Sequence, residues 1–88
     1  MKLSFTELGW EDYLWFQAND KILLKKINLL IKDIQRTPYQ GLGKPEALKA
    51  NLSGYISRRI NQEHRLIYEV DSELAELIII SCRYHYHH

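Results

Sequence analysis

A carboxylate at Glu46, guanidiniums at Arg59 and Arg65 and an imidazole at His85 supply the groups for one particular reaction. RNA can be cut without a metal when a base takes the proton from a ribose 2′-OH and that oxygen attacks the adjacent phosphorus. An acid then protonates the departing 5′-oxygen, while cations hold the charge on the pentacoordinate phosphorus. A Glu suits the first role, a His the second and an Arg the third, because the planar guanidinium matches two phosphate oxygens at once. Tyrosines nearby, as in "RYHY" (83–86), can stack on splayed bases. DNA lacks the 2′-OH and is not a substrate by this route.

Each residue also has a plainer reading. Glu46, taken as the start of a helical turn, can simply complement a helix dipole. Arg65 can pair with Glu63 or Glu69, and His85 can be a solvated histidine near the chain end. Spacing alone does not assemble the four groups, so the elements that carry them decide.

"KLSF" (2–5) alternates as a short strand does. From about residue 7 the spacing of Trp10, Tyr13, Leu14 and Phe16 predicts an amphipathic helix, with Ser4 and Glu7 in capping-box spacing ahead of it. Asn19 and Asp20 break the pattern. A second helix follows from Asp20 to about Arg36, where Leu23, Ile27, Leu30, Ile31 and Ile34 recur every three or four residues. "TPYQGLGKP" (37–45) holds both prolines and two glycines and reads as a loop; "EALKANL" (46–52) reads as one or two helical turns opened by Pro45. Three strands then follow, "YISRRI" (55–60), "HRLIYEV" (64–70) and "ELIIISCRYH" (76–85), joined by the short turns "NQE" and "DSELA". The order β-α-α-β-β-β predicts an α+β domain with two helices on one mostly antiparallel sheet.

Alternation sorts the charged residues by face. Tyr55, Ser57 and Arg59 share a side; Arg65, Ile67 and Glu69 share a side; Ser81, Arg83 and His85 lie opposite Cys82, Tyr84 and Tyr86. With the helices covering one face, the other can carry Arg59, Arg65 and His85, with Glu46 and Lys49 brought over the edge by the loop. Charge points the same way. Residues 32–65 carry Lys32, Arg36, Lys44, Lys49, Arg58, Arg59 and Arg65 against Asp33, Glu46 and Glu63, a balance of +4 in a chain whose total is +1. That is the start of an anion-binding surface.

The remaining numbers exclude classes. Eighty-eight residues make one domain with one core. The lone Cys82 cannot form an internal disulfide, which favours a reducing compartment. No stretch approaches the roughly 20 apolar residues of a membrane span, and "MKLSFTELGW" does not have the form of a signal peptide. The expectation is a cytoplasmic protein. No helix carries a helix-turn-helix signal, so a repressor binding DNA alone is disfavoured.

The blocks "GKPEALK" (43–49), "NLSGYISRRI" (51–60), "EHRLIY" (63–68) and "CRYHY" (82–86) resemble the YoeB toxins of the RelE superfamily, and "INLLIKDIQRTPYQGLGKPE" resembles their second helix and following loop. The resemblance covers nearly the whole chain. It implies a RelE-like, microbial-RNase-type fold over residues 1–86 and a type II toxin that enters the ribosomal A site and cleaves the mRNA there. It implies Glu46 as general base, Arg65 as stabiliser of the transition-state phosphate, His85 as general acid and Tyr86 as a group that orients or stacks the RNA. Lys49 and Arg59, with Arg58 and Arg83, would be substrate contacts. No cofactor or metal is implied. The implied partners are a YefM-type antitoxin, a second copy of the toxin, the ribosome with its mRNA, and operator DNA reached only through the antitoxin.

Two features depart from that pattern. His87 and His88 follow the His-Tyr pair, as a natural extension or the remnant of a purification tag, and His85 with His87 lacks the third ligand that a metal site needs. Strict alternation also separates His85 from Tyr86, so both reach RNA only if the chain end leaves the ladder. The rival reading is a non-catalytic RelE-like module that binds antitoxin or ribosome without cutting.

Overall fold

The computed structural model describes residues 1–85. In chain order the elements are β1 (Lys2–Phe5), α1 (Glu7–Asn19), α2 (Lys21–Arg36), β2 (Glu46–Ala47), a 3₁₀ turn (Ala50–Leu52), β3 (Ile56–Arg59), β4 (Arg65–Asp71) and β5 (Glu76–Ser81). The five strands form one sheet in the order β1-β5-β4-β3-β2. β1 runs parallel to β5 and every other pairing is antiparallel. The expected α+β architecture is therefore present, with one addition. Glu46–Ala47 is a short edge strand on β3 where helical turns were expected, and only residues 50–52 coil.

α2 behaves as its periodicity requires. Asp20 caps it by accepting the Leu23 N–H at 3.1 Å, and Ile27, Leu30, Ile31 and Ile34 are buried. They meet Ile56, Leu66, Tyr68, Leu77 and Ile79 from the sheet to form the core. α1 departs from expectation. Its inward face is Gly9, Asp12 and Phe16, while Trp10 and Leu14 are exposed. The helix lies so close to β5 that a Cβ on Gly9 would overlap the Ile79 carbonyl, so contact is by backbone and small side chain. Its cap is Thr6, whose Oγ1 accepts the Gly9 N–H at 3.0 Å; Ser4 stays in β1 and donates to the Glu76 carboxylate.

A buried ion pair ties the loop after α2 to the sheet. Alternation puts Arg58 on the helix side of β3 with Ile56 and Ile60, and it is 0% exposed. Its Nη1 donates to Asp33 Oδ2 at 2.6 Å and to the Leu42 carbonyl, its Nη2 to the Thr37 and Gln40 carbonyls, and its Nε to the Tyr68 hydroxyl. Tyr68 in turn donates to the Pro38 carbonyl at 2.7 Å. Burial raises the Tyr68 pKa, which keeps the phenol protonated for that bond.

The Asp33 pKa is lowered from 3.8 by the Leu42 N–H and then by Arg58. A depressed carboxylate adds stability that is complete above its unfolded value and disappears as pH falls through the folded one. Wild-type protein should therefore lose stability below about pH 4 more steeply than an Asp33→Asn variant, whose neutral-pH stability is already reduced. Urea midpoints across an acid titration measure the difference; parallel curves would contradict it.

Cys82 packs in the core beside Asp12, which accepts its backbone N–H at 3.0 Å. Burial, and then the Asp12 carboxylate, push its thiol up to about 12, so it is no nucleophile at neutral pH. No helix among the described residues is long and apolar enough to cross a membrane.

Candidate active site

The open face of the sheet assembles the groups named from the sequence. β2 exists because Glu46 pairs with Ser57 across the sheet edge, which brings the carboxylate over β3. One step further along the face, Arg59 stands directly opposite Arg65 in the β3–β4 register. β5 reaches the same face through an irregularity. Ile67 pairs with Ser81 but Tyr68 pairs with Ile79, so Ile80 is an extra residue, a β-bulge. Without it, Ser81 would share the helix-facing side of Leu77 and Ile79. With it, Cys82 points into the core and Ser81 lies across from Ile67.

Lys44, Glu46, Ser57, Arg59, Arg65 and His85 line one cleft of about 210 Å³. His85 closes the end nearest the β3–β4 turn, with Nε2 3.1 Å from the Gln62 carbonyl. A carbonyl only accepts, so Nε2 carries a proton. Arg65 leans on the same turn, its Nη1 donating to the Asn61, Gln62 and His64 carbonyls at 2.6, 3.3 and 3.1 Å. Its Nε and Nη2 have no protein acceptor among the described residues.

The plainer readings can be set against the geometry. Glu46 sits on a strand, not at a helix start, so it complements no dipole. Arg65 is bound to carbonyls, with neither Glu63 nor Glu69 within ion-pair distance. His85 is exposed yet held against Gln62 at the cleft wall. Like charges facing across a ladder are destabilising, and Arg59 and Arg65 face each other with no carboxylate paired to either among the described residues. Lys44 adds a third cation.

Lys44 was counted in the basic stretch but not named as a site residue. It enters the cleft because its backbone is left-handed, φ 52°, between Gly43 and Pro45. A lysine between glycine and proline was the only available signal.

Other expected contacts lie elsewhere. Lys49 is exposed in an adjoining groove of about 340 Å³ that it shares with Glu46. Arg58 is sealed on the helix side with all its donor nitrogens engaged, which corrects its assignment as a substrate contact. Arg83 is also turned away from the cleft. Its guanidinium lies 3.8 Å over the Trp15 ring and 4.9 Å from that of Tyr84, in a mostly apolar groove of about 350 Å³ that meets the cleft only at His85. Tyr86 and His87 fall outside the described residues.

Two facing guanidiniums make a site for a tetrahedral dianion. An anion several times above its dissociation constant should add about 1 kcal/mol of stability, or roughly 4–8 °C for a domain this small. Sulfate should thus raise the wild-type melting temperature more than that of Arg65→Ala, which shares any general salting effect. Equal shifts in the two proteins would count against the site.

The fold and its basic cleft define a class, the RelE-like toxins. Residues 5–86 match the family described as "YoeB-like toxin of bacterial type II toxin-antitoxin system". The chain is 69% identical to the toxin YoeB of Synechocystis sp., over 98% of both chains. It superposes on the YoeB/ParE toxin of Agrobacterium tumefaciens with a TM-score of 0.95 at 49% identity, covering 98% of this chain and 100% of that one. It is also similar to the Staphylococcus aureus YoeB, 53% identical with 98% of each chain covered, both in its heterotetrameric complex with YefM (TM-score 0.88) and as a dimer (TM-score 0.89). The chain belongs to the YoeB family of type II toxins.

Proposed function

We propose that this toxin is an endoribonuclease that enters the ribosomal A site and cuts mRNA by 2′-OH attack. The observation that carries the reading is the shared cleft: one carboxylate, one imidazole and three cations on the open face. Glu46 takes the 2′-OH proton. Arg65, with Arg59 and Lys44 beside it, holds the phosphate and takes up the charge that grows on it, a purpose for which unpaired guanidinium edges are suited. His85 gives its Nε2 proton to the leaving 5′-oxygen as it exchanges the Gln62 carbonyl for substrate. Base and acid are both side chains, so the steps need no metal. Tyr86 orients or stacks the RNA, and Lys49 contacts a neighbouring phosphate from its groove. The products carry a 2′,3′-cyclic phosphate, or the 3′-phosphate it opens to, and a 5′-hydroxyl.

The same reading gives the toxin a YefM-type antitoxin and a second copy of itself as partners, as in the Staphylococcus aureus assemblies. It acts in the cytoplasm on translating ribosomes and meets operator DNA through the antitoxin.

The test is cleavage of an mRNA programmed on purified ribosomes. A cut within the A-site codon is expected, absent when the attacking nucleotide carries a 2′-deoxy sugar and absent when antitoxin is added. Ribosome binding with no cut would make the protein a blocking module. Cutting of the deoxy substrate would remove the 2′-OH mechanism.

A further inference from the structure

We infer that His64 is a positioning residue that sets His85 in the cleft by holding the backbone of Tyr84. This deepens the proposed function, since it rests on His85 acting there as the acid.

His64 immediately precedes β4 and is 4% exposed. Alternation gives it the core side with Leu66 and Tyr68. Its ring stands edge-on to Phe16, 5.1 Å between centroids, so packing fixes its orientation. Its Nδ1 is 2.7 Å from the Tyr84 backbone nitrogen. A backbone amide can only donate, so Nδ1 holds a lone pair and the proton is on Nε2. Glu63 Oε1 lies 3.3 Å from that nitrogen. The tautomer is thus set by the Tyr84 N–H.

The bond matters because of where Tyr84 stands. The β5 ladder ends at Ser81, so regular β4–β5 pairing does not carry the chain through residues 82–85. Tyr84 has φ 61°, a left-handed conformation that is unfavourable for a residue with a Cβ. It is held there at both ends: its N–H by His64 Nδ1, its carbonyl by the Arg65 N–H at 3.0 Å. That clamp turns the chain back onto the β3–β4 turn, and the next residue is His85, within reach of Gln62. The turn is itself braced by Asn61 Oδ1, which accepts the Glu63 and His64 N–H groups at 2.9 and 2.7 Å. One short turn therefore sets both Arg65 and, through His64, His85.

The experiment compares three substitutions at His64. In His64→Asn the Oδ1 atom can occupy the place of Nδ1 and still accept the Tyr84 N–H. In His64→Gln the polar group moves to the place of Nε2, and His64→Leu removes both. Cleavage on programmed ribosomes should fall in the Leu and Gln variants by up to about 100-fold, the scale of a misplaced catalytic group. The loss should lie in kcat more than in KM, and Asn should recover most of it. In a His85→Ala background, His64→Leu should cause no further loss, because both changes remove the same contribution. Equal losses with and without His85, or an Asn variant as poor as Leu, would overturn the inference. A second readout does not need catalysis. Nitrogen-15 spectra of the histidine rings should show His64 as the Nε2–H tautomer, and His85 ring signals should move in the Leu variant but not in Asn. An unmoved His85 would overturn the inference even if the toxin cuts well. Wild-type protein that does not cut would remove the proposed function and leave the positional claim to the spectra.

Discussion

Glu46→Gln and His85→Ala should each lower single-turnover cleavage on programmed ribosomes by about two to four orders of magnitude, with little change in stability. Both side chains are exposed. Glu46 lies on a two-residue edge strand and forms no ion pair among the described residues, so the isosteric amide leaves the fold untouched. What changes is the ability to accept a proton. Among the described residues the His85 ring has one hydrogen bond, to Gln62, so His85→Ala costs the acid and little else. Arg65→Ala should cost as much activity, since removal of one transition-state donor is worth about 2.7–4 kcal/mol; it also frees the Asn61 and Gln62 carbonyls from their ligand. Losses within one catalytic unit do not add, so Glu46→Gln with His85→Ala should be little worse than the poorer single variant. The measurements are cleavage rates on saturating ribosomes beside ribosome affinity. Rates insensitive to both substitutions would assign the chemistry elsewhere. Unchanged affinity with no cleavage even in wild type would favour the blocking module.

Much of this was legible in the sequence because two periodicities dominate it. The stripe of Ile27, Leu30, Ile31 and Ile34 could only be a helix with one buried side, and the alternating runs after Gly54 could only be strands. What stayed hidden was whatever breaks a period. The Ile80 bulge reverses the faces of β5, and it adds one residue within "LIIIS", where every side chain suits either face. α1 was misjudged in its exposed residues because it approaches β5 through Gly9, a contact that leaves no apolar mark. Glu46–Ala47 looked helical because Pro45 and the residues after it favour a turn, whereas pairing with Ser57 and Ala47's partner Ile56 decides the outcome. The site followed the same division. Arg59, Arg65 and Glu46 were readable from alternation and loop placement. His64 sat in view as an imidazole at a core position, and only the Tyr84 contact gives that position a purpose.

The neighbouring arginines of β3 should respond in opposite ways. Arg58→Met is expected to lower the unfolding free energy by about 3–5 kcal/mol, the usual cost of breaking a buried ion pair from one side, a large share of the 5–15 kcal/mol that holds a typical domain together. Arg59→Ala is expected to leave stability within about 0.5 kcal/mol or to raise it slightly, because it relieves the repulsion opposite Arg65, while reducing cleavage. Replacing both partners of a buried pair with apolar residues is often harmless, but that escape is closed here. Arg58 also satisfies the carbonyls of Thr37, Gln40 and Leu42, and Asp33 accepts the Leu42 N–H, so an apolar pair would leave these part-buried backbone groups without their protein partners. Gly41 belongs to the same arrangement: at φ 122° it passes so near Asp33 that a Cβ there would overlap the carboxylate. The double variant Asp33→Leu with Arg58→Met should therefore recover little of the loss. Urea unfolding followed by the fluorescence of Trp10 and Trp15 separates these outcomes. An Arg58→Met protein as stable as wild type would mean that the loop holds its course without the ion pair. The 37–45 segment would then owe its path, and Lys44 its place in the cleft, to its glycines and prolines alone.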